Sequence, residues 1–210
     1  MADITRIARI DGARDSAIAD WLAAKLRRAF GASGGPVAIT VPGGSTPFPI
    51  IELLLTEDLP WERLVVWPND DRVVPEDHEA SNTGKLRRLF EPVGAEVVTL
   101  SVMEQVPPFA FAWLGMGADG HVASLFPNTD PRADDPRSVV QLTPDPLPPE
   151  APYDRISLTI TALLNSDEVV FVIRGADKSD VMAAALAGTG DLPVSRLLAA
   201  ARQPVTVFAG

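Results

Sequence analysis

The 210 residues contain no cysteine, only two histidines and a single tyrosine. The first absence excludes a disulfide framework, a thiolate metal site and a cysteine nucleophile, and it suits a reducing cytoplasm. The scarcity of histidine singles out His78 and His121, because imidazole is the side chain that ordinarily changes charge near neutral pH. No apolar run approaches the roughly 20 residues of a membrane span, and Met1 to Asp11 mixes acids and bases without the apolar core of a leader peptide. Cations are few as well. Eighteen Lys and Arg face 28 Asp and Glu, a formal net charge of −10, which argues against nucleic acid and anionic membrane as partners. An acidic chain that binds an anion must use a local cluster of cations and backbone amides, so Arg72, Arg155 and Lys178 draw attention. Hydrophobic content of 46% in a chain of this length fills one core and is short for two, which predicts a single domain over residues 1–210.

What is present is an alternation. Ala13 to Phe30 puts Ala17, Ile18, Trp21, Leu22, Leu26, Ala29 and Phe30 on one helical stripe, with Gly31 as the expected C-cap. Strand Val37 to Val41, helix Pro47 to Thr56, strand Leu64 to Trp67, helix Ala80 to Phe90, strand Val97 to Leu100 and strand Phe109 to Leu114 follow. The run TPDPLPPEAP, residues 143–152, is too rich in proline for helix or central strand and reads as a surface excursion between two strands. Arg155 to Ile160 and Val169 to Ile173 are expected to continue the sheet. Helices Asp177 to Ala187 and Val194 to Ala201 and a closing strand Pro204 to Phe208 complete the chain. Such alternation predicts an α/β fold with a largely parallel sheet and helices on both faces.

Three of the predicted strands run into loops that carry chemistry. After Val41 comes Pro42-Gly43-Gly44-Ser45-Thr46-Pro47, whose bare amides, two hydroxyls and helix N-terminus make an anion site; the plainer reading is a strand-to-helix turn with Ser45 or Thr46 as N-cap. After Trp67 comes Pro68-Asn69-Asp70-Asp71-Arg72-Val73-Val74-Pro75, which taken singly is a solvated turn. After Leu114 comes Gly115-Met116-Gly117-Ala118-Asp119-Gly120-His121, whose glycines bring the backbone close to a ligand while Asp119 and His121 supply titratable groups. In isolation that loop is an ordinary turn whose histidine caps the next helix. In an open α/β sheet, however, ligands bind outside the carboxyl ends of the strands, so loops 42–47, 68–75, 115–122 and 174–178 can meet in one cleft.

Together GGSTP, the Asp-Asp-Arg stretch ending in Val74-Pro75 and followed by Ser81-Asn82, and GMGADGHVASLFP resemble the 6-phosphogluconolactonase family of the pentose phosphate pathway. Arg155-Ile156-Ser157-Leu158-Thr159 with Ala162 to Asn165, then Val169 to Ile173 with Gly175 and Lys178, resemble the family's second half. Two departures stand out. The family usually has glutamate where Asp71 stands, and it often closes with a tryptophan, whereas this chain ends Val205 to Gly210. The resemblance implies a modified Rossmann-like fold, shared with sugar-phosphate isomerases and deaminases, and hydrolysis of 6-phospho-D-glucono-1,5-lactone.

That reaction needs a water, a base, an oxyanion contact and a grip on the 6-phosphate. His121 is the natural base. Asp119, two residues before it, is free to orient the imidazole or to bind a sugar hydroxyl. Contacts to the substrate and its phosphate are expected from Gly43, Gly44, Ser45, Thr46, Asp70, Arg72, Gly117, Arg155 and Lys178. His78, in the polar run Glu76 to Glu79, reads as a surface or loop contact. No serine stands in a GxSxG elbow, which favours direct attack by water, and no residues stand at metal-ligand spacing, so no metal and no cofactor are inferred. The expected partner is a small sugar phosphate lactone, with no nucleic acid and no membrane, acting on a cytoplasmic monomer or weak homodimer. Two rivals are an amino-sugar 6-phosphate isomerase or deaminase and a non-catalytic sugar-phosphate sensor. In the isomerases the acidic pair is followed by an aromatic rather than by arginine and ASLFP is missing, and a sensor would need a DNA-reading domain for which there is no length.

Overall fold

The computed structural model describes residues 7–149 and 151–210. Met1 to Arg6, part of the stretch inspected above for a leader signal, lie outside the described residues. The chain runs through β1 (Ile7–Asp11), α1 (Asp15–Ala32), β2 (Val37–Val41), α2 (Pro47–Leu54), β3 (Leu64–Pro68), β4 (Asp70–Arg72), α3 (Asn82–Phe90), β5 (Glu96–Val97) and β6 (Ala112–Leu114). It continues with β7 (Val139–Leu142), β8 (Arg155–Leu158), α4 (Ile160–Leu164), β9 (Val169–Ile173), α5 (Ala176–Leu186), α6 (Pro193–Ala200) and β10 (Val205–Ala209). Seven strands form one parallel sheet in the order β1-β10-β9-β6-β2-β3-β5, and β4-β8-β7 form a small antiparallel sheet beside it.

The β-branched runs VAITV, LVVWP, VVFVI and VTVFA are buried on both faces, as strands covered by helices on each side must be. Alternate side chains therefore feed two cores. Ile39, Val41, Trp113, Val172 and Phe208 pack beneath α1, α2 and α3, whereas Leu114, Phe171, Ile173 and Val207 pack beneath α4, α5 and α6.

Strand order carries the functional consequence. From β2 the sheet grows outward through β3 to β5; the chain then returns to place β6 against the other side of β2 and grows outward again through β9 and β10 to β1. The loops leaving β2 and β6 thus diverge from adjacent strands. A crevice opens at their carboxyl ends.

Several expectations are corrected. Strand β1 was not anticipated, since IARID is exposed along most of its length and owes its conformation to parallel pairing with β10. Helix α1 runs on through Gly31 to Ala32, with Ser33 rather than a glycine at its C-cap. The segments expected at Val97–Leu100 and Phe109–Leu114 shorten to β5 and β6, and Phe109 keeps only an isolated bridge to Ser166. Arg155 to Ile160 does not continue the main sheet: its first four residues are β8 of the small sheet, and Ile160 opens α4. Its partner β4 was expected as a loop. The chain leaves the main sheet at Asn69, whose N–H donates to Val41 O at 2.8 Å, whose carbonyl accepts from Leu158 N at 2.9 Å, and whose side chain donates to Thr40 Oγ1 at 2.8 Å. The proline-rich run does connect two strands, β7 and β8.

Asp71, where the sequence departs from the family it resembles, has a local explanation. Its carboxylate is 6% exposed and accepts from the N–H of Asn82 at 2.6 Å, the N–H of Thr83 at 2.9 Å, Ser81 Oγ at 3.0 Å and the N–H of Arg72 at 2.8 Å. Ser81 completes the cap by accepting from Gly84 N at 3.0 Å. These contacts satisfy the first amides of α3 and set a negative charge at its positive end, while Arg87 and Arg88 lie in its last turn. Asp71→Ala strands buried donors and is expected to cost about 2 kcal/mol, which calorimetry should read as a melting temperature about 4 to 8 °C lower.

Candidate active site

At the carboxyl ends of the parallel strands lies a cavity of about 370 Å³. Pro42 to Pro47 after β2, Gly115 to Gly117 and His121 after β6, and Arg174 and Lys178 after β9 form one wall; Asp70, Arg72 and Arg155 of the small sheet form another. The small sheet is therefore what brings the Asp-Asp-Arg stretch to the site.

The first loop has no side-chain cap. Thr46 stands at the N-cap position of α2 with Pro47 behind it, yet neither it nor Ser45 makes the capping bond expected of them, which leaves both hydroxyls free at the cavity rim. Gly43 is required by crowding: a Cβ there would lie 2.2 Å from Asn82 Oδ1, so only glycine lets the loop lie against the start of α3.

The second loop folds back on itself, with Gly117 N donating to His121 O at 3.0 Å and Gly120 N to Gly117 O at 3.0 Å. This brings two side chains that are two residues apart into contact. Asp119 Oδ1 lies 2.6 Å from His121 Nδ1 and also accepts the His121 N–H at 3.2 Å. That hydrogen bond holds the Asp119 carboxyl below its ordinary value, against the opposing effect of partial burial. With Nδ1–H directed to the carboxylate, the lone pair falls on Nε2. Asp119 is not among the cavity-lining residues, whereas His121 is, with its ring 4.6 Å from that of Phe126. No helix follows for His121 to cap; Val122 bridges to Leu125, and a short 3-10 turn, Pro127–Thr129, comes next.

In the β4–β8 register Arg72 lies directly opposite Arg155, which puts two like charges on one face of the small sheet. Such a pair opposes folding unless an anion or a carboxylate stands near. Burial first, and then Arg72, push the Arg155 guanidinium below its ordinary value, while Asp70 works in the other direction. Arg155 donates to the carbonyls of Tyr153 and, at 2.7 Å, of Ala151, and so pins the proline-rich run, whose Pro148 and Ala151 face the cavity. Arg72 does not pair with either neighbouring aspartate: Nη1 donates to Ala80 O at 2.7 Å, and Nε is buried without a partner. Lys178 pairs with neither Asp177 nor Asp180 and makes no side-chain bond to any other described residue.

All the residues expected at the substrate line this cavity: Gly43, Gly44, Ser45, Thr46, Asp70, Arg72, Gly117, Arg155 and Lys178. Arg174, in the loop 174–178 expected at the cleft, lines it too, and so do Asn82, Ser124, Phe126, Pro148 and Ala151, which were not anticipated. Ser124 and Phe126 stand inside the ASLFP run and Asn82 in the Ser81-Asn82 pair, so a signal existed for those three, but nothing in the proline-rich run marks its residues as cavity wall. His78 is a loop contact, with Nδ1 accepting from Ala80 N at 3.0 Å and its ring edge-on to Tyr153 at 5.6 Å. Among the described residues, no three His, Asp or Glu side chains gather as a metal would need, and no helix is long and apolar enough to cross a membrane.

A parallel sheet with this crevice defines an α/β protein whose ligand site lies at the carboxyl ends of its strands, and the chain belongs to the family of glucosamine-6-phosphate isomerases and 6-phosphogluconolactonases, whose model matches residues 13–98 and 91–207. Its relatives narrow the comparison. It is 33% identical over 214 residues to the 6-phosphogluconolactonase of Pseudomonas aeruginosa, covering 90% of this chain and 87% of the relative. It is likewise 33% identical over 200 residues to that of Caulobacter vibrioides, with 83% of each covered. The fold matches the crystal structure of a 6-phosphogluconolactonase from Shewanella baltica with a TM-score of 0.83 and 27% identity over 98% of both chains.

Gly117 is where the loop can be tested. A Cβ there would lie 2.2 Å from His121 Cε1 and 2.6 Å from Asp119 Oδ1, so Gly117→Ala must push the imidazole off its carboxylate. The expected result is a large change in the His121 ring proton shifts by NMR with the melting temperature held; unchanged shifts would show that the loop tolerates the methyl group.

Proposed function

We propose that this protein, as one domain over residues 1–210, hydrolyses 6-phospho-D-glucono-1,5-lactone to 6-phospho-D-gluconate in the cytoplasm, acting as a monomer or weak homodimer. The observation that carries this reading is His121, paired with Asp119, on the wall of a cation-lined cavity, in a chain whose curated relatives are 6-phosphogluconolactonases.

Chemistry follows from the pair. Asp119 holds Nδ1–H, so Nε2 of His121 takes a proton from a water as its oxygen attacks the lactone carbonyl at C1. Asp119 also stabilises the imidazolium so formed. When the tetrahedral intermediate collapses, the bond between C1 and the ring oxygen breaks, and the proton on Nε2 passes to that oxygen as it leaves. Water has then been added across the ester, and the base is regenerated. The phosphate is held by the amides and hydroxyls of Gly43 to Thr46 with Lys178, and the Arg72–Arg155 pair supplies the remaining positive field. This is how a chain of net charge −10 receives an anion: its cations are few, but several of them converge. The isomerase reading lacks a comparable observation.

Stopped-flow hydrolysis of freshly made lactone, measured above its spontaneous rate, is the direct test, and no acceleration would refute the activity. His121→Ala is expected to lower kcat by about 10² to 10⁴ while leaving the affinity for 6-phosphogluconate nearly intact, since a base acts on the transition state. The same variant should lose the acidic limb of the kcat/KM profile; a limb that persists assigns the proton transfer to a carboxylate instead.

Arg72→Ala and Lys178→Ala test the phosphate grip. Each is expected to raise KM for the phosphorylated lactone about 10- to 150-fold, the range of a lost charge-assisted hydrogen bond, with a much smaller effect on unphosphorylated gluconolactone. Equal losses for the two substrates would remove these residues from the phosphate.

A further inference from the structure

Among the described residues, the cavity's cations surround one buried carboxylate, that of Asp70, which neither the proton transfer nor the phosphate grip employs. It is firmly seated. Ser124 Oγ donates to Oδ2, while Asn82 Nδ2 donates to the Asp70 carbonyl at 3.0 Å and lies 3.5 Å from Oδ1. Ser124 is seated in turn, its N–H donating at 3.2 Å to Oγ of Ser157, which stands directly opposite Asp70 in the β4–β8 register. Ser124 and Asn82 also line the cavity, so the whole cluster belongs to its wall.

An ionised carboxylate accepts about four hydrogen bonds, and these two neighbours use only part of that capacity. What is left opens on the cavity. A phosphate cannot fill it, because acceptor would face acceptor and negative charge would face negative charge. Hydroxyl groups can, since they donate. Burial pushes the Asp70 carboxyl up, whereas Ser124, Arg72 and His121 favour its charged form and Asp71 opposes it. Hydroxyl donors from a ligand would act in the same direction as Ser124.

We propose that Asp70 reads the hydroxyl groups of the sugar, accepting hydrogen bonds from the polyol part of the substrate, and that Ser124 and Asn82 are the residues that position it. This rests on the sugar-lactone reading above and assigns Asp70 to the polyol rather than to the phosphate. A site built to bond a hydroxyl discriminates strongly against the analogue that lacks it, because the buried acceptor is then left unpaired.

Calorimetric binding of 6-phosphogluconate and its 2-, 3- and 4-deoxy counterparts to the wild type and to Asp70→Ala, Asp70→Asn and Ser124→Ala decides the matter. The wild type should bind at least one deoxy acid about 10- to 150-fold more weakly than the parent. That ratio should fall close to one in Asp70→Ala and shrink in Ser124→Ala, while the contribution of the phosphate, read from unphosphorylated gluconate, stays as it was. Equal binding of all four acids by the wild type, or a ratio unchanged in Asp70→Ala, overturns the assignment. Should Asp70→Ala fail to fold, a ratio unchanged in both Asp70→Asn and Ser124→Ala does the same. A wild type that discriminates through Asp70 yet leaves fresh lactone unhydrolysed would support the hydroxyl reading and sink the lactonase one.

Discussion

Everything at the cavity depends on the parallel pairing of β2 with β6 at the point where strand order reverses. Adjacent parallel strands normally send their following segments the same way, and each loop is then covered by its neighbour. Here the segment after β2 crosses to α2 and the segment after β6 turns toward the small sheet, so the space between them is not filled by backbone. Two glycine-rich loops can approach one ligand only because of that divergence. The small antiparallel sheet closes the third side, and it exists because Asn69 couples the end of β3 both to Val41 and to Leu158.

The electrostatics invert the character of the whole chain. Net charge is −10, yet Arg72, Arg155, Arg174 and Lys178 line one cavity. Two of them are cross-strand neighbours, an arrangement that opposes folding wherever no anion stands nearby. Buried Asp70 and Asp71 lie beside them but serve different ends. Asp71 turns its oxygens to the amides that open α3, while Asp70 turns toward the cavity. A single step along β4 reverses the side on which a side chain emerges, which is why adjacent aspartates divide the work.

Glycine is needed in the two loops for opposite reasons. At Gly43 the neighbour is Asn82 of α3, so the missing side chain is a packing requirement between elements. At Gly117 the neighbours are His121 and Asp119 of the same loop, and the missing side chain is what allows residues two apart in sequence to meet as a hydrogen-bonded pair. Both are close-approach effects rather than matters of backbone angle.

The alternating sheet, the covering helices and the three loops could be read from sequence because each rests on local pattern: β-branched runs, helical stripes and glycines at strand ends. His121, Arg72 and Lys178 stood out by scarcity and position, and the family resemblance by motif. What sequence left open were matters of pairing. IARID carries no strand pattern and becomes β1 only beside β10; Asp70 to Arg72 reads as a loop until Arg155 to Leu158 lies against it; the role of Asp119 stayed divided until the fold of its loop brought it 2.6 Å from the imidazole. The proline-rich run joins the cavity from beyond β7, and no local feature of its sequence encodes that placement. Periodicity and composition act within a few residues and were legible; hydrogen-bond partners and cavity walls come from segments tens of residues apart, and only the closed tertiary structure decides them.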